Sequence, residues 1–386
     1  MMEFADRISH LRPEGAYQVL AKANELECSG REIIHLEIGQ PDYPTFENVA
    51  DAGIQAIKSG KTRYTPPAGV PTLREVLAED AGNRRGIKLT ADEIVVGPGG
   101  KPILYFPTMA LIEPGDEVIY PDPGFPTYEA MIRVAGGIPV PVPLLEENQF
   151  SFDIQVFDRL INPKTRLIIL NSPSNPTGGV IPLKDLEHIA HKAIEFDCWV
   201  MSDELYTRIV YDGFNAPSIA SLPEMRDRTI IVDGFSKTYS MTGWRLGFGV
   251  MPAKLAAKVD LLLTHAVGST AHFTQFAGIE AVTGPQNKVD EMVSEYQKRR
   301  DAIVEGLNRV PGFHCQKPQG AFYVFPRITE TGMASSEIAN LILEKAGVAL
   351  LPGNAFGYHG EGYLRLSYAN SMENIQKALK QIQALF

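Results

Sequence analysis

Four loops that follow predicted strands carry residues able to do chemistry together. They are, in chain order, Gly97–Lys101, Asn171–Gly178, Ser202–Tyr206 and Gly234–Gly247. In an open parallel sheet, ligands bind beyond the carboxyl ends of the strands. The four loops are therefore expected to form one site, although each alone also fits an ordinary turn or helix cap.

The most reactive candidate is Lys237, which emerges from a buried strand. A lysine held in an apolar site has a lowered pKa and becomes a nucleophilic amine. The glycines of Gly97–Lys101 precede a helix, where backbone N–H groups approach a phosphate closely. A magnesium-binding P-loop is disfavoured, because Pro102 stands where a Ser or Thr would hold the ion. A plain helix-entry turn remains the alternative for this segment.

From about residue 70 to 250, short apolar runs alternate with helical patterns. This alternation predicts an α/β fold, with a mainly parallel seven-stranded sheet flanked by helices. After about residue 285 a long polar helix and short strands indicate a smaller α+β domain, which both chain ends are expected to build. We expect a large domain at 46–284 and a small one from 1–45 and 285–386. The predicted strands of the large sheet are Glu93–Val96, Asp116–Tyr120, Ile138–Val142, Arg166–Leu170, Cys198–Met201, Thr229–Val232 and Leu246–Val250.

Composition narrows the class of protein. The 386 residues carry a net charge of −10, which argues against nucleic acid as a partner. The three cysteines lie far apart and predict free thiols in a reducing compartment. The segment Met1–Arg12 lacks the apolar stretch of a signal peptide, and no run is long enough to cross a bilayer. We therefore expect a cytoplasmic protein. His188 and His191 share a helix face but have no apparent ligand partner, so no metal site is predicted.

Taken together, the motifs resemble those of class I and II pyridoxal-phosphate-dependent aminotransferases, of the aspartate aminotransferase-like, fold type I group. The run Gly234–Gly247 resembles the family's lysine attachment signature, and the other landmarks follow in family order. The resemblance extends from about Pro13 to the C-terminus. Those landmarks are Gly39–Asp42, Arg63–Gly69, Asn175–Gly178, Asp203 with Tyr206, and Tyr363–Ser367.

The resemblance implies a set of roles around the cofactor. Lys237 is expected to carry pyridoxal 5′-phosphate as a Schiff base and to move the proton at the substrate Cα. Asp203 is expected to pair with the pyridine nitrogen, and Tyr206 and Asn175 with the ring's phenolic oxygen. Arg245 is expected to bind the phosphate. The residues assigned to the cofactor by resemblance are Tyr64, Gly99, Gly100, Lys101, Phe125, Asn175, Asp203, Tyr206, Ser236, Lys237 and Arg245.

The remaining implied roles concern the substrate and a second subunit. Arg365 is expected to grip the α-carboxylate with two parallel N–H donors. Tyr64 resembles a tyrosine that reaches the phosphate of the neighbouring subunit, which implies a homodimer with shared active sites. Phe125 stands where many relatives stack a Trp on the ring, and stacking is retained. The residues assigned to the substrate are Gly39, Lys101, Asn175 and Arg365.

The predicted reaction is ping-pong transfer of an amino group from an L-amino acid to a 2-oxo acid. A β-eliminating lyase on the same cofactor is the alternative, and a non-catalytic cofactor-binding protein is a second one. Lys101 resembles a lysine that recognises a distal carboxylate in aspartate-specific relatives. Glu14 nearby would weaken that positive field, or would suit an amine-bearing side chain. The sequence therefore leaves the amino donor and acceptor open.

Overall fold

The computed structural model describes residues 5–9, 11 and 13–386. Parts of two predicted features, the small-domain stretch 1–45 and the Met1–Arg12 segment, lie outside the described residues. The described strands are β1 (Ile34–His35), β2 (Ile94–Gly97), β3 (Glu117–Asp122), β4 (Ile138–Leu145), β5 (Ser151–Phe152), β6 (Thr165–Asn171), β7 (Trp199–Asp203), β8 (Thr229–Gly234), β9 (Gly247–Val250), β10 (Tyr323–Val324), β11 (Val348–Ala349), β12 (Leu351–Pro352) and β13 (Leu364–Ser367).

Helices separate most of these strands. They are α1 (Asp6–Ser9), α2 (Gly15–Cys28), α3 (Glu47–Lys58), α4 (Pro71–Arg85), α5 (Gly100–Leu111), α6 (Thr127–Ala135), α7 (Ile154–Leu160), α8 (Leu183–Glu195), α9 (Ala253–Ala266), α10 (His272–Thr283), α11 (Asn287–Leu307), α12 (Ser335–Leu341) and α13 (Met372–Gln383). None of the described helices is both long and apolar enough to span a bilayer.

The large sheet has the strand order β2-β9-β8-β7-β6-β3-β4-β5. Its strands run parallel except at β9, which is antiparallel to both neighbours, and at β5, which is antiparallel to β4. The α/β class and the seven predicted strands are confirmed. The eighth, β5, has only two residues and lies at the edge, so it is too short to show an apolar pattern.

Both faces of this sheet are buried. In β6, Leu167 and Ile169 pack with side chains of α5, α6 and α9, whereas Ile168 and Leu170 pack on the opposite face against α7 and α8. A parallel strand covered on both sides has no polar face, so it is apolar throughout. This is the reason that the central strands could be predicted from short apolar runs.

The two chain ends meet in the structure. β1 pairs in parallel with β11, and the guanidinium of Arg31 donates to the Glu344 carbonyl at 2.7 Å. A second sheet, antiparallel and ordered β10-β13-β12, packs with α11 and α13 around a separate apolar cluster. These contacts support a small unit built from both ends, while the boundaries at 46 and 285 stay a prediction.

The structure corrects one detail of the predicted helix face. His188 Nε2 lies 2.7 Å from a carboxylate oxygen of Asp158, a partner that the sequence did not reveal. The described residues contain no group of three or more His, Cys, Asp or Glu side chains placed to hold a metal ion. Within the same residues the three cysteines are free thiols.

Candidate active site

A cavity of about 1340 Å³ opens at the carboxyl ends of the central parallel strands. Most of the predicted site residues line it, although they come from segments spread over the whole chain. Those that do are Gly39, Gly100, Lys101, Phe125, Asn175, Asp203, Tyr206, Ser236, Lys237, Arg245 and Arg365. The four loops therefore meet at one cavity, as the geometry of a parallel sheet requires.

Lys237 lies three residues beyond the end of β8 and points into this cavity. Its Nζ donates to the Gly39 carbonyl at 2.5 Å and lies 5.8 Å from the centre of the Phe322 ring. Burial lowers the pKa of Lys237 to about 8, and the nearby positive charges of Arg365 and Arg245 act in the same direction. A substantial neutral fraction of this amine exists near neutral pH, which is the form that attacks a carbonyl carbon.

Asp203 is the last residue of β7 and is 7% exposed. The Tyr128 hydroxyl donates to its Oδ2 at 2.7 Å, and the Leu205 backbone N–H donates to its Oδ1 at 3.3 Å. Burial raises the pKa of Asp203 to about 6 despite these two donors. The sequence analysis missed Tyr128. Its signal was its position three residues after Phe125, in the first turn of α6.

Tyr206 faces a second tyrosine that the sequence analysis missed. Its hydroxyl lies 2.8 Å from the hydroxyl of Tyr323 in β10. Burial raises the pKa of Tyr206 well above its usual value, so its proton is retained and can be donated. Gly39 is required beside this pair, because a Cβ there would lie 2.1 Å from the Tyr323 hydroxyl.

Arg365 in β13 is a buried cation, only 4% exposed. One guanidinium N–H donates to the Glu37 carbonyl, and another reaches the Asn175 side-chain oxygen at 3.4 Å. The guanidinium carbon lies 4.6 Å from the ring centre of Tyr323 and 5.0 Å from that of Phe356. Its Nε has no hydrogen-bond partner among the described residues. A buried charged donor without a partner is costly, so this arrangement suits an anionic ligand.

A cradle for a phosphate lies at the start of α5. Gly99 has φ = 95° and precedes the helix, whose first backbone N–H groups belong to Gly100 and Lys101. Arg245 lies alongside, held by the Thr242 carbonyl at 2.9 Å. A Cβ at Gly99 would lie 2.5 Å from a guanidinium nitrogen of Arg245. Free N–H groups, a helix dipole and a cation at one point favour an anion.

The Lys101 side chain points away from this cradle. Its Nζ forms an ion pair with Glu14 and lies 5.4 Å from the ring centre of Phe125. Thr127 donates to the same Glu14 oxygen at 3.5 Å. The cationic head predicted to meet the substrate is therefore already paired within the chain.

Tyr64 is one of two predicted residues that do not line the cavity of the single chain, the other being Gly99. Its side chain is 97% exposed, and it does not line the cavity. Gly99 does not line the cavity directly, but it contacts Arg245 at its edge as described above. The expectation that Tyr64 serves the site of a second subunit stays a prediction.

The residues present fit pyridoxal phosphate. The cradle at the start of α5 suits the phosphate. The buried carboxylate of Asp203 suits the ring nitrogen, and the amine of Lys237 suits the aldehyde. Asp203 and Lys237 both face the cavity from neighbouring strand ends, and Phe125 supplies an aromatic wall. The Nε of Arg365, which has no hydrogen-bond partner among the described residues, is available to bind a carboxylate.

Comparison with known proteins agrees with this geometry. Residues 31–382 match the family described as aminotransferase class I and II. A probable aspartate/prephenate aminotransferase of Aquifex aeolicus is 39% identical, over 98% of this chain and 97% of that protein. An aromatic-amino-acid aminotransferase 2 of Thermococcus litoralis is 38% identical over 99% and 98% respectively. The aspartate aminotransferase of Thermus thermophilus with maleate superposes with a TM-score of 0.95 at 36% identity and full coverage of both chains.

These relatives are all aminotransferases, and none of them supports the alternative of a β-eliminating lyase. The matched family spans nearly the whole chain, including every predicted site residue from Gly39 to Arg365. The chain is therefore a member of the class I and II aminotransferases, an enzyme that transfers amino groups with pyridoxal phosphate.

Proposed function

We propose that this aminotransferase binds pyridoxal 5′-phosphate covalently through Lys237 and passes amino groups from L-amino acids to 2-oxo acids by a ping-pong route. The observation that carries the assignment is that Lys237, Asp203 and Arg365 face one cavity although they lie on separate segments. When bound, the cofactor supplies an electron-accepting ring for the charge that develops at the substrate Cα.

Lys237 is assigned the proton transfer at the substrate Cα. Once the substrate's amino group has taken its place, the freed neutral amine of Lys237 would accept the proton from the substrate Cα, which is general acid–base catalysis. The hydrogen bond that Lys237 Nζ donates to the Gly39 carbonyl orients Nζ in the resting site. A pKa of about 8 keeps both protonation states accessible near neutral pH.

Asp203, Tyr206 and Asn175 are assigned to the two polar edges of the ring. An ionised Asp203 holds a proton on the ring nitrogen, and the Tyr128 hydroxyl holds the carboxylate in place. Tyr206, protonated and fixed by Tyr323, donates to the phenolic oxygen. Asn175 shares that oxygen and also contacts Arg365. The cofactor's reactivity is thus set by neutral donors on one edge and one carboxylate on the other.

Arg365 is assigned the substrate's α-carboxylate. A planar guanidinium offers two parallel N–H donors to a carboxylate, and its fixed position orients the bond that breaks at Cα. Gly39 keeps this region open, because any side chain there would displace Tyr323. Orientation by a rigid, buried cation reduces the entropy that the reaction must otherwise lose.

The remaining cofactor contacts and the second subunit follow the same proposal. Phosphate binds the N–H groups at Gly100 and Lys101, next to Gly99, with Ser236 and Arg245 beside them, and Phe125 packs against the ring. Tyr64, fully exposed in one chain, completes the phosphate site of a second copy in a homodimer. The partners are small amino and oxo acids, and the proposed location is the cytoplasm.

The test is a visible absorbance titration of the cofactor-loaded protein with single amino acids and no acceptor. A spectral change on adding an amino acid, with one equivalent of the matching oxo acid formed, is the expected result. Lys237→Ala should abolish turnover, whereas Lys184→Ala, at an exposed position of α8, should not. Steady-state turnover retained in the Lys237→Ala protein would exclude the proposed role of this lysine.

A further inference from the structure

The ion pair between Glu14 and Lys101 lies in the lining of the cavity, beside the ring of Phe125. Glu14 directly precedes α2, whereas Lys101 lies in the first turn of α5, so the pair joins two distant segments. Both side chains remain partly accessible, at 26% for Glu14 and 44% for Lys101. A substrate side chain can therefore reach the pair.

The positive charges of the cavity indicate a role for this pair at the side-chain end of the substrate. The described lining contains four basic Lys or Arg side chains: Lys101, Lys237, Arg245 and Arg365. The last three are assigned to the Cα proton, the phosphate and the α-carboxylate. Lys101 is thus the cation left for a second negative charge on a substrate. Glu14 already supplies a carboxylate at that position.

We propose that Glu14 is a built-in substitute for the distal carboxylate of an acidic substrate, and that it restricts this enzyme to amino acids with uncharged side chains. The inference rests on the proposed function, since it concerns the side-chain end of the same site. The proposed preference differs from the aspartate in the names of several relatives. It rests on an ion pair between two residues of this chain.

Electrostatics accounts for the selection. A second carboxylate reaching Lys101 would share one cation with Glu14 or displace it, and two like charges in contact repel strongly. A cationic side chain would instead meet Lys101. An uncharged side chain disturbs neither charge and finds Tyr17, Leu20 and Phe125 in the cavity lining. Glu14 thus contributes specificity by repelling substrates that carry a second carboxylate.

The kinetic test compares L-aspartate with a panel of uncharged amino acids on the cofactor-loaded enzyme. We expect wild type to have a kcat/KM for the best uncharged donor at least about tenfold above that for L-aspartate. Glu14→Gln, with Glu14→Ser as a second variant, should raise the aspartate-to-uncharged ratio by about tenfold or more, because Lys101 is released. Glu344→Gln removes a surface Lys–Glu pair and is the matched control, with no change in the ratio expected.

A binding measurement without turnover provides the second readout. Succinate, a dicarboxylate with no amino group, is titrated into the loaded enzyme by calorimetry. Glu14→Gln should bind it about tenfold more tightly than wild type does. The gain should vanish when Lys101→Met is added, because the released cation is then absent.

The outcomes separate this inference from the proposed function. If no amino acid converts the loaded wild-type enzyme, the proposed function itself fails. If uncharged amino acids react but L-aspartate reacts as well or better, the inference alone is wrong. It is equally overturned if both Glu14 variants leave the ratio and succinate affinity unchanged, or if the gain persists in the Lys101→Met background.

Discussion

Tyr128→Phe should make the stability of the cofactor-free protein more sensitive to pH. The lost hydroxyl donates to Asp203 at 2.7 Å, and both side chains are buried. A hydrogen bond to a charged group contributes about 1.5–3 kcal/mol and one to a neutral group about 0.5–1.5 kcal/mol. The difference of about 1–1.5 kcal/mol corresponds to about one pKa unit. The pKa of Asp203, about 6 in the wild type, should therefore rise to roughly 7.

The sign of the pH effect follows from linkage. Asp203 has a raised pKa in the folded state, so its favourable contribution is full below the unfolded value near 3.8 and is lost as pH rises through about 6. In Tyr128→Phe that loss continues to roughly pH 7. The destabilisation relative to wild type should grow from about 1 kcal/mol at pH 4.5 to about 2 kcal/mol at pH 8.

Urea unfolding of both proteins between pH 4.5 and 8.5, at fixed protein concentration, measures this difference. Tyr211→Phe is the matched control, because its buried hydroxyl contacts the Ala321 carbonyl and the Tyr368 hydroxyl. Neither partner titrates in this range, since burial raises the pKa of Tyr368 further. The control should lose about 1 kcal/mol at every pH. An equally flat difference for Tyr128→Phe would refute the assigned coupling.

Three further predictions concern the reaction and its support. Uptake of pyridoxal phosphate by the cofactor-free protein should accelerate with pH around a midpoint of about 8, the lowered pKa of Lys237; a pH-independent rate in stopped-flow absorbance contradicts this. Arg365→Lys should lower kcat/KM by about 10–100-fold for every amino donor, because Lys cannot form two parallel bonds; a loss confined to one donor would assign Arg365 to the side chain instead. Arg85→Met should destabilise the protein by about 3–5 kcal/mol in urea unfolding, because Arg85 pairs with buried Glu204 at 2.7 Å and Asp233 at 3.0 Å. A loss below about 1 kcal/mol would mean that Arg84 and water take the place of Arg85 beside the two carboxylates.

Local patterns were enough for the framework of the large sheet. Strands such as β6 and β8 are buried on both faces, so their apolar runs stand out from the surrounding helical periodicity. The chain direction of a parallel sheet then places every loop after a strand at the same edge. For this reason Asp203 and Lys237 could be assigned to one site before the structure was known.

Residue types and order also determined the family, because the motif around Lys237 and the positions of Asn175 and Arg365 resemble one group of enzymes throughout the chain. The cofactor-binding roles were implied together with the family. A motif does not show what surrounds each functional side chain in the folded protein. Burial and neighbouring charges set a pKa, and these depend on segments far away in the chain.

Tertiary structure alone decided the contacts that adjust the site. Tyr128 meets Asp203 across 75 residues, and Tyr323 meets Tyr206 across 117 residues. Glu14 and Lys101 are 87 residues apart, and the sequence showed them as a conflict between two charges. In the structure these two opposite charges form an ion pair. The physical reason is that hydrogen bonds and ion pairs act over a few ångströms, and only packing decides which distant side chains come that close.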